Sequence, residues 1–148
     1  HLTASLQPGT RVWVEGPYGV MTPDRCASDH AVLIGAGIGI TPMRAVAEGL
    51  MQQGKQVDLL VRAHSEADVL LGKELEALNQ LPGLNVRLLV GTRQQHPLNA
   101  SHLRQLVPSI SQSDLYACGP SPLLHSLEDD AVALGIPQDR IHIEHFTI

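Results

Sequence analysis

The sequence predicts an α/β domain in which helices cover both faces of a doubly wound, five-stranded parallel sheet. Five short apolar segments alternate with four segments of helical periodicity along the 148 residues, and a crossover that contains a helix makes successive strands parallel. Aromatic residues make up only 3% of the chain, whereas 43% of the residues are hydrophobic. The core must therefore consist mainly of Leu, Val, Ile and Ala, which favours a sheet covered by helices over a barrel or a sandwich.

The first predicted strand and helix lie between residues 31 and 54. Residues 31–35 (AVLIG) form a continuous apolar run, typical of a strand covered on both faces. Over residues 42–51, apolar side chains recur at the spacing of one helical face. Gly54 stands where a left-handed residue commonly ends a helix.

The same alternation continues to the end of the chain. Residues 56–62 (QVDLLVR) predict the second strand, and Ser65 and Asp68 have the spacing of a capping box that opens a helix. The remaining predicted elements are a strand at 86–90, a short helix that ends at Pro108, a strand at 114–118, a helix capped by Ser121 that runs to Gly135, and a strand at 140–145.

Composition and charge exclude several classes of protein. No apolar run approaches the ~18 residues of a membrane span, and residues 1–20 lack the pattern of a signal peptide. Two cysteines are too few for a disulfide framework, which indicates the cytoplasm or the cytoplasmic face of a membrane. A formal net charge of −5 argues against a nucleic-acid partner. Because the chain begins at His1 rather than Met, we expect a fragment or a processed product.

The most informative segment reads GAGIGITP and begins at Gly35, between the first strand and the first helix. Glycines permit a sharp turn and let a ligand approach the backbone, and the free amides of a helix start bind phosphate. Thr41 is predicted to cap the helix and Pro42 to occupy its first position. The spacing is G-x-G-x-G rather than the usual dinucleotide fingerprint, so a glycine-rich turn without a ligand is the alternative. The candidate binding residues are Gly35, Gly37, Gly39, Thr41 and Pro42.

Polar or glycine-rich residues follow three further strands of the predicted sheet. Ligands of open α/β sheets lie beyond the carboxyl ends of the strands. We therefore expect one site formed by these ends. Its candidate residues are Arg62 after the second strand, Thr92 and Arg93 after the third, Cys118, Gly119 and Pro120 after the fourth, and residues 143–146 (IEHF) at the fifth.

Four motifs together resemble a known family. GPYG at 16–19, GAGIGITP at 35–42, YACGP at 116–120 and IEHF at 143–146 follow one another as in the NAD(P)-binding domain of the ferredoxin–NADP reductase superfamily. The similarity is greatest to its ferric reductase and oxygenase-reductase branch. The resemblance implies that residues 31–148 bind NAD(P)H, while residues 1–30 are the end of an N-terminal, FAD-binding β-barrel and a linker.

The resemblance also implies an activity. The nicotinamide would pass a hydride to FAD held by the separate N-terminal domain, and electrons would then reach a metal, haem or iron–sulfur acceptor. The NAD(P)-binding domain alone would be inactive. A non-catalytic module that senses nucleotides or docks a partner, and a flavodoxin-like domain that binds FMN itself, are the alternatives.

The family's site residues carry over by position. The resemblance implies that Gly37, Gly39, Thr41 and Pro42 hold the pyrophosphate and the nicotinamide ribose. Gly119 and Pro120 would shape the turn beside them. Cys118 would border the nicotinamide ring, Glu144 would lie near the flavin–nicotinamide contact, and Phe146, like Tyr18, would lie near the flavin.

Each of these residues also has a purely structural interpretation. Cys118 can be a small buried residue, Glu144 a solvated acid and Phe146 a core residue. No metal site is expected, because the histidines lack ligand spacing and His142 and His145 alternate faces on a strand.

The residue types favour NADPH over NADH. No acid for a ribose hydroxyl ends the second strand, where Arg62 stands. Thr92 and Arg93 resemble the pair that holds the 2′-phosphate in plant-type reductases, and a guanidinium suits a phosphate. Nearby acidic residues, among them Asp68, weaken the electrostatic argument, and two ordinary loop residues are the alternative.

Overall fold

The computed structural model describes residues 7–13, 15, 19 and 21–145. Five strands lie within this part of the chain: β1 (His30–Ala36), β2 (Gln56–Ala63), β3 (Leu84–Val90), β4 (Asp114–Gly119) and β5 (Ile141–His145). Four α-helices accompany them: α1 (Ile40–Gln52), α2 (Gly72–Leu78), α3 (Ala100–Leu106) and α4 (Ser121–Ala133). No helix among these residues has the length and hydropathy needed to cross a bilayer.

The strands form one parallel sheet in the order β3-β2-β1-β4-β5. The predicted doubly wound α/β fold is therefore confirmed. The chain order reverses between β1 and β4, so a crevice opens at the carboxyl ends of these two central strands. In folds of this kind, that crevice is where a ligand binds.

Two apolar layers fill the space between the sheet and its helices. Leu33 of β1 and Tyr116 of β4 lie in the layer covered by α1 and α2. Ile34 and Leu115, their neighbours in sequence, lie in the opposite layer with α3 and α4. The core is aliphatic as predicted, with Tyr116 as its large aromatic side chain among the described residues.

The start of α1 differs from the prediction. The helix begins at Ile40, and Thr41 makes no capping hydrogen bond. A 3-10 turn (Gly37–Gly39) leads directly into the helix, and the amide of Ile40 bonds to carbonyls of that turn. No side-chain cap is needed because the turn already supplies the acceptors. Pro42 becomes the third helical residue, where its missing N–H costs no helical hydrogen bond.

The predicted helix after Ser65 is shorter and begins later. The capping box of Ser65 and Asp68 is present, but it closes a 3-10 turn. Leu71 then adopts a left-handed conformation with φ of 58°, and α2 begins only at Gly72.

Two other predictions also differ from the structure. Ser121 is the first residue of α4 and makes no capping hydrogen bond. Residues 11–15 (RVWVE) alternate polar and apolar side chains, which predicts a half-buried strand. This prediction is wrong for residues 11–13 and 15, which form no strand, and residue 14 lies outside the described part.

A buried carboxylate attaches the segment before β1 to the sheet. Asp114, at the start of β4, accepts hydrogen bonds from the amide (2.8 Å) and hydroxyl (2.6 Å) of Ser28. His142 donates to its other oxygen at 2.9 Å. Further along the same face, the hydroxyl of Tyr116 donates to the carbonyl of Thr22 at 3.1 Å. Residues 22–28 are thereby held across β4 on the side of α1.

Candidate functional site

A cavity of about 600 Å³ lies at the carboxyl edge of the sheet. Four of the predicted binding residues line it, namely Gly37, Arg62, Arg93 and Pro120. The sequence reasoning did not select the other lining residues, which are Ala36, Ala63, His64, Asp68, His96, Pro97, Leu98, Pro122 and Leu123. The volume lies in the range typical of small-molecule sites.

Two glycines of the GAGIGITP segment serve different purposes. Gly37 has a left-handed φ of 56°, and a Cβ there would meet nothing within 4 Å. Gly39 lies directly against the end of β4, since a Cβ on it would overlap the carbonyl of Cys118 and come within 2.9 Å of the Gly119 amide nitrogen. Gly37 therefore leaves room for a ligand, and Gly39 permits the loop to pack on β4.

Gly35, Thr41 and Pro42 lie on either side of the glycine loop, at the end of β1 and in the first turn of α1. A Cβ on Gly35 would stand 3.0 Å from the Cα of Ile40, so this glycine lets the first turn of α1 fold back on β1. Thr41 and Pro42 lie in that first turn. The amide of Ile40 already bonds to carbonyls of the preceding 3-10 turn, and Pro42 has no N–H. The amides without an intrahelical acceptor are therefore those at the start of that 3-10 turn, which also carries the positive end of the helix dipole. The turn therefore offers donors to an anion at the switch point.

Arg62 and Arg93 differ in how their guanidinium groups are used. Arg62 donates to the carbonyls of Leu89 (2.9 Å), Gly91 (2.7 Å) and Ala63. These hydrogen bonds join the carboxyl ends of β2 and β3, and the Arg62 side chain forms part of the cavity lining. Arg93 is exposed and makes one side-chain hydrogen bond, at 3.2 Å to the Ser126 hydroxyl. Arg93 is the guanidinium that can reach a ligand.

Thr92 lies at the cavity rim rather than in its lining. It is exposed, its amide donates to Gln95 Oε1 at 2.8 Å, and its hydroxyl accepts from the Gln95 amide at 3.4 Å. These two bonds close the turn that carries Arg93. Asp68 brings a negative charge to the cavity wall, and hydrogen bonds from Ser65 lower the pKa of this carboxyl below its usual range.

His96 and Leu98 form a part of the wall that no sequence pattern indicated. Leu98 is buried in a left-handed conformation with φ of 52°, which is uncommon for a branched side chain. Its amide donates to Nδ1 of His102 at 3.2 Å. Burial lowers the pKa of His102, and neighbouring His96 adds to that shift. Within the described part of the chain, Nδ1 of His96 is buried without a hydrogen-bond partner.

Cys118 and Glu144 lie beside each other on the two last strands. They are register partners across β4 and β5, and Cys118 also pairs with Gly35 of β1. Burial raises the pKa of the Cys118 thiol to about 11, and the Glu144 carboxylate contributes to the shift. The thiol is therefore protonated at neutral pH, and it is a poor nucleophile.

Glu144 faces the segment that precedes β1. A Cβ on Gly19, which has φ of 95°, would lie 2.9 Å from Oε2 of Glu144. The carboxylate is partly exposed. Both side chains lie on the α1 side of the sheet, where Cys118 is fully buried and Glu144 is the accessible one of the pair. The predicted contacts of Phe146 and Tyr18 lie outside the described residues.

Comparisons with known proteins identify relatives of this chain. A family model described as "Oxidoreductase NAD-binding domain" matches residues 33–129. The chain is 33% identical over 153 residues to an NADPH oxidoreductase of Mycobacterium tuberculosis, covering 100% of this chain and 39% of that protein. It is also 33% identical over 143 residues to the ferredoxin reductase component of 3-ketosteroid-9-alpha-monooxygenase from the same species, covering 95% of this chain and 39% of that protein.

A solved structure shows the same fold. The flavohem-like FAD/NAD-binding domain of nitric oxide dioxygenase from Vibrio cholerae O1 biovar El Tor superposes with a TM-score of 0.66 at 28% identity. The superposition covers 93% of this chain and 55% of that one. The chain thus spans about two-fifths of the length of the two curated relatives it matches.

Proposed function

Because the chain belongs to the oxidoreductase NAD-binding domain family, we propose that it binds NAD(P)H and presents the nicotinamide to FAD held by a separate N-terminal domain. The resemblance to ferredoxin reductases inferred from the four motifs is confirmed by the family match, by the relative named a ferredoxin reductase component and by the fold shared with an FAD/NAD-binding domain. Bound NAD(P)H supplies the hydride that the flavin accepts, and the electrons then pass singly to a metal, haem or iron–sulfur acceptor.

The observation that carries the proposal is the contact of Gly39 with the Cys118–Gly119 backbone. This contact joins the glycine loop to the end of β4, with the cavity on one side and Cys118 and Glu144 on the other. A dinucleotide that lay across this contact would place one half in the cavity and its nicotinamide over the end of β4, beside Glu144 and above the buried Cys118. The residues present fit such a ligand, because Gly37 leaves the loop surface open and the start of the 3-10 turn (Gly37–Gly39) that precedes α1 offers amide donors.

We assign positioning roles to Cys118 and Glu144. The Cys118 thiol is protonated and fully buried in the layer under α1, so it supports the ring site from behind as a small, uncharged group. Glu144 supplies a fixed carboxylate at the edge of that site, where it orients the groups that meet there. We assign Phe146 to the flavin side of the contact, on the motif resemblance alone.

We propose that NADPH is preferred over NADH. Arg93 offers an accessible guanidinium at the cavity, and Thr92 stands beside it with a hydroxyl. A guanidinium binds a phosphate by strong, charge-assisted hydrogen bonds. The carboxylate of Asp68 opposes this effect from the same cavity. The name of one relative, NADPH oxidoreductase, supports the preference.

We further propose that residues 1–30 connect this domain to the FAD-binding domain. Trp13 is 92% exposed, and Val12 beside it is 59% exposed, which is unusual for such side chains on a free surface. Ile38, in the glycine loop, is 66% exposed and is a third apolar side chain that the FAD-binding domain would cover. The curated relatives are much longer than this chain. The free thiols of Cys26 and Cys118 support a cytoplasmic location.

The decisive experiment supplies the chain with an FAD-binding domain from a related reductase. Flavin bleaching is followed by stopped-flow absorbance after NADPH is added, with and without the chain. We expect bleaching to require both components. Bleaching at the same rate without the chain, or full turnover of the chain without flavin, would overturn the proposal. Tight NADPH binding without any flavin reduction would instead indicate a nucleotide-sensing module.

A further inference from the structure

Two histidines and one glutamate meet at the outer edge of the sheet, away from the nucleotide cavity. His125 and Glu128 lie three residues apart on α4 and therefore share one face of the helix. His145, the last residue of β5, projects toward them. Nε2 of His145 is 3.1 Å from Oε1 of Glu128, and the rings of His125 and His145 have centroids 5.1 Å apart.

One ligand atom from each of these three side chains can be chosen so that all lie within 4.8 Å of one another. In a tetrahedral zinc site with bonds of ~2.1 Å, neighbouring ligand atoms are about 3.4 Å apart. Nε2 of His145 and Oε1 of Glu128, at 3.1 Å, are close to that separation. The ligand atom of His125 lies within 4.8 Å of the other two, and its exposed position on α4 leaves the imidazole room to turn toward an ion.

From this juxtaposition we propose that His125, Glu128 and His145 bind a divalent transition-metal ion of the Zn²⁺ class. Two imidazoles and one carboxylate are a ligand set that Zn²⁺ accepts, with water in the fourth position. The side chains of His145 and Glu128 are 35% and 45% exposed, so an ion and its water can enter from solvent.

The ion would join α4 to the end of β5. The residue before His145 is Glu144, whose side chain points to the opposite face of the strand because neighbours alternate. On α4, the hydroxyl of Ser126 accepts the hydrogen bond from Arg93. A bound ion would therefore link α4 to β5, and both elements also carry residues of the proposed nucleotide site. The proposed metal site does not depend on the proposed function, because metal binding is measured without nucleotide or flavin.

The test is calorimetric titration of the chelator-treated full chain with Zn²⁺. We expect one ion per chain and at least about a tenfold loss of affinity in each of His125→Ala, Glu128→Gln and His145→Ala. Asp129→Asn is the matched control, since it removes one carboxylate charge from the next, exposed position of α4. Its affinity should equal that of the unaltered chain.

Two further measurements keep the test independent of folding. Circular dichroism and the melting temperature without metal should be unchanged in all four variants, because the substituted side chains are at the surface. Titration with Co²⁺ should give the visible absorption of a tetrahedral site in the chain and in Asp129→Asn, and lose it in a variant that combines all three ligand substitutions. Equal Zn²⁺ affinity of that triple variant and the unaltered chain would overturn the proposal, as would equal losses in Glu128→Gln and Asp129→Asn.

Discussion

Gly39 and Cys118 touch through their backbones, although 79 positions separate them in the sequence. A side chain on Gly39 would overlap the carbonyl of Cys118, so the glycine loop packs against β4 only because no Cβ is present. This contact holds the loop at the switch point of the sheet. The cavity lies on one side of this contact, and Cys118 and Glu144 lie on the other side.

The first prediction concerns this contact. Gly39→Ala should lower the free energy of unfolding by about 1–3 kcal/mol, because the new methyl group must displace backbone rather than a flexible side chain. It should also weaken NADPH binding, since the loop can no longer lie against β4. Denaturant unfolding and calorimetric titration measure the two effects.

Gly72→Ala is the matched control for that substitution. Gly72 has no atom within 4 Å of its Cβ position and no left-handed φ, and it begins α2. Alanine there should leave stability unchanged or slightly increased. Equal unfolding free energies of Gly39→Ala and the unaltered chain would contradict the close contact.

The second prediction separates the two nucleotides. Arg93→Ala should raise the dissociation constant for NADPH about tenfold or more, and change that for NADH by less than about twofold, because one charge-assisted hydrogen bond contributes ~1.5–3 kcal/mol. The measurement is calorimetric titration with each nucleotide. Arg104→Ala, on the exposed side of α3, serves as the control. An equal loss for both nucleotides would count against a 2′-phosphate contact.

The third prediction follows from Cys118. Its thiol pKa is raised in the folded chain, from 9.0 to about 11, so the folded state holds this proton more tightly than the unfolded state. Stability should therefore be fully present below pH 9 and fall as the pH rises toward 11, by an amount on the order of 2 kcal/mol for this group.

Urea unfolding at a series of alkaline pH values measures that loss. Cys118→Ala should show a shallower decline above pH 9 than the unaltered chain. Burial also raises the pKa of Cys26 and Tyr116, so some decline will remain in the variant. Parallel declines in the two proteins would show that the thiol ionises equally in the folded and unfolded states.

The fourth prediction concerns Asp114 at the opposite edge of the sheet. Burial raises the pKa of this carboxyl, but hydrogen bonds from Ser28 and His142 outweigh that effect and hold it below the usual 3.8. The folded state thus favours the charged form. Its stabilising contribution is present above about pH 4 and is lost as the pH falls through the lowered value.

Asp114→Asn should destabilise the chain by about 1–3 kcal/mol at neutral pH, because the amide nitrogen that replaces one carboxylate oxygen cannot accept and leaves the donors of either Ser28 or His142 without an acceptor. It should also flatten the loss of stability in acid. Thermal unfolding between pH 3 and pH 7 checks both effects, with exposed Asp129→Asn as the control. A variant as acid-sensitive as the unaltered chain would disprove the role of Asp114.

Much of the fold follows from local patterns in the sequence. The apolar run at 31–35 has both faces buried in the structure, and the helical stripe that contains Met43 and Leu50 faces the core. These predictions succeed because burial imposes a period on hydrophobicity that the chain alone reveals. Helix boundaries are less predictable: at Thr41 a 3-10 turn leads into the helix without a side-chain cap, and at Ser65 the predicted capping box closes a 3-10 turn instead of opening α2.

The candidate site was only partly visible in the sequence. Motifs located Gly37, Arg93 and Pro120, which line the cavity, but no pattern pointed to His96 or Leu98. These two residues reach the wall because a left-handed turn at Leu98 brings the loop after β3 back over the sheet. Such a conformation in a leucine has no local signal, since it is imposed by the surrounding packing.

The sequence by itself determined the order of strands and helices, the aliphatic core and the motifs that resemble a reductase domain. Each of these depends on neighbours along the chain or on residue type. Only the tertiary structure decided that the guanidinium of Arg62 is bound to strand ends while that of Arg93 remains accessible. It alone also brought His145 to His125 and Glu128. The physical reason is that side-chain partners across a sheet are set by strand order and register, which depend on packing of the whole chain.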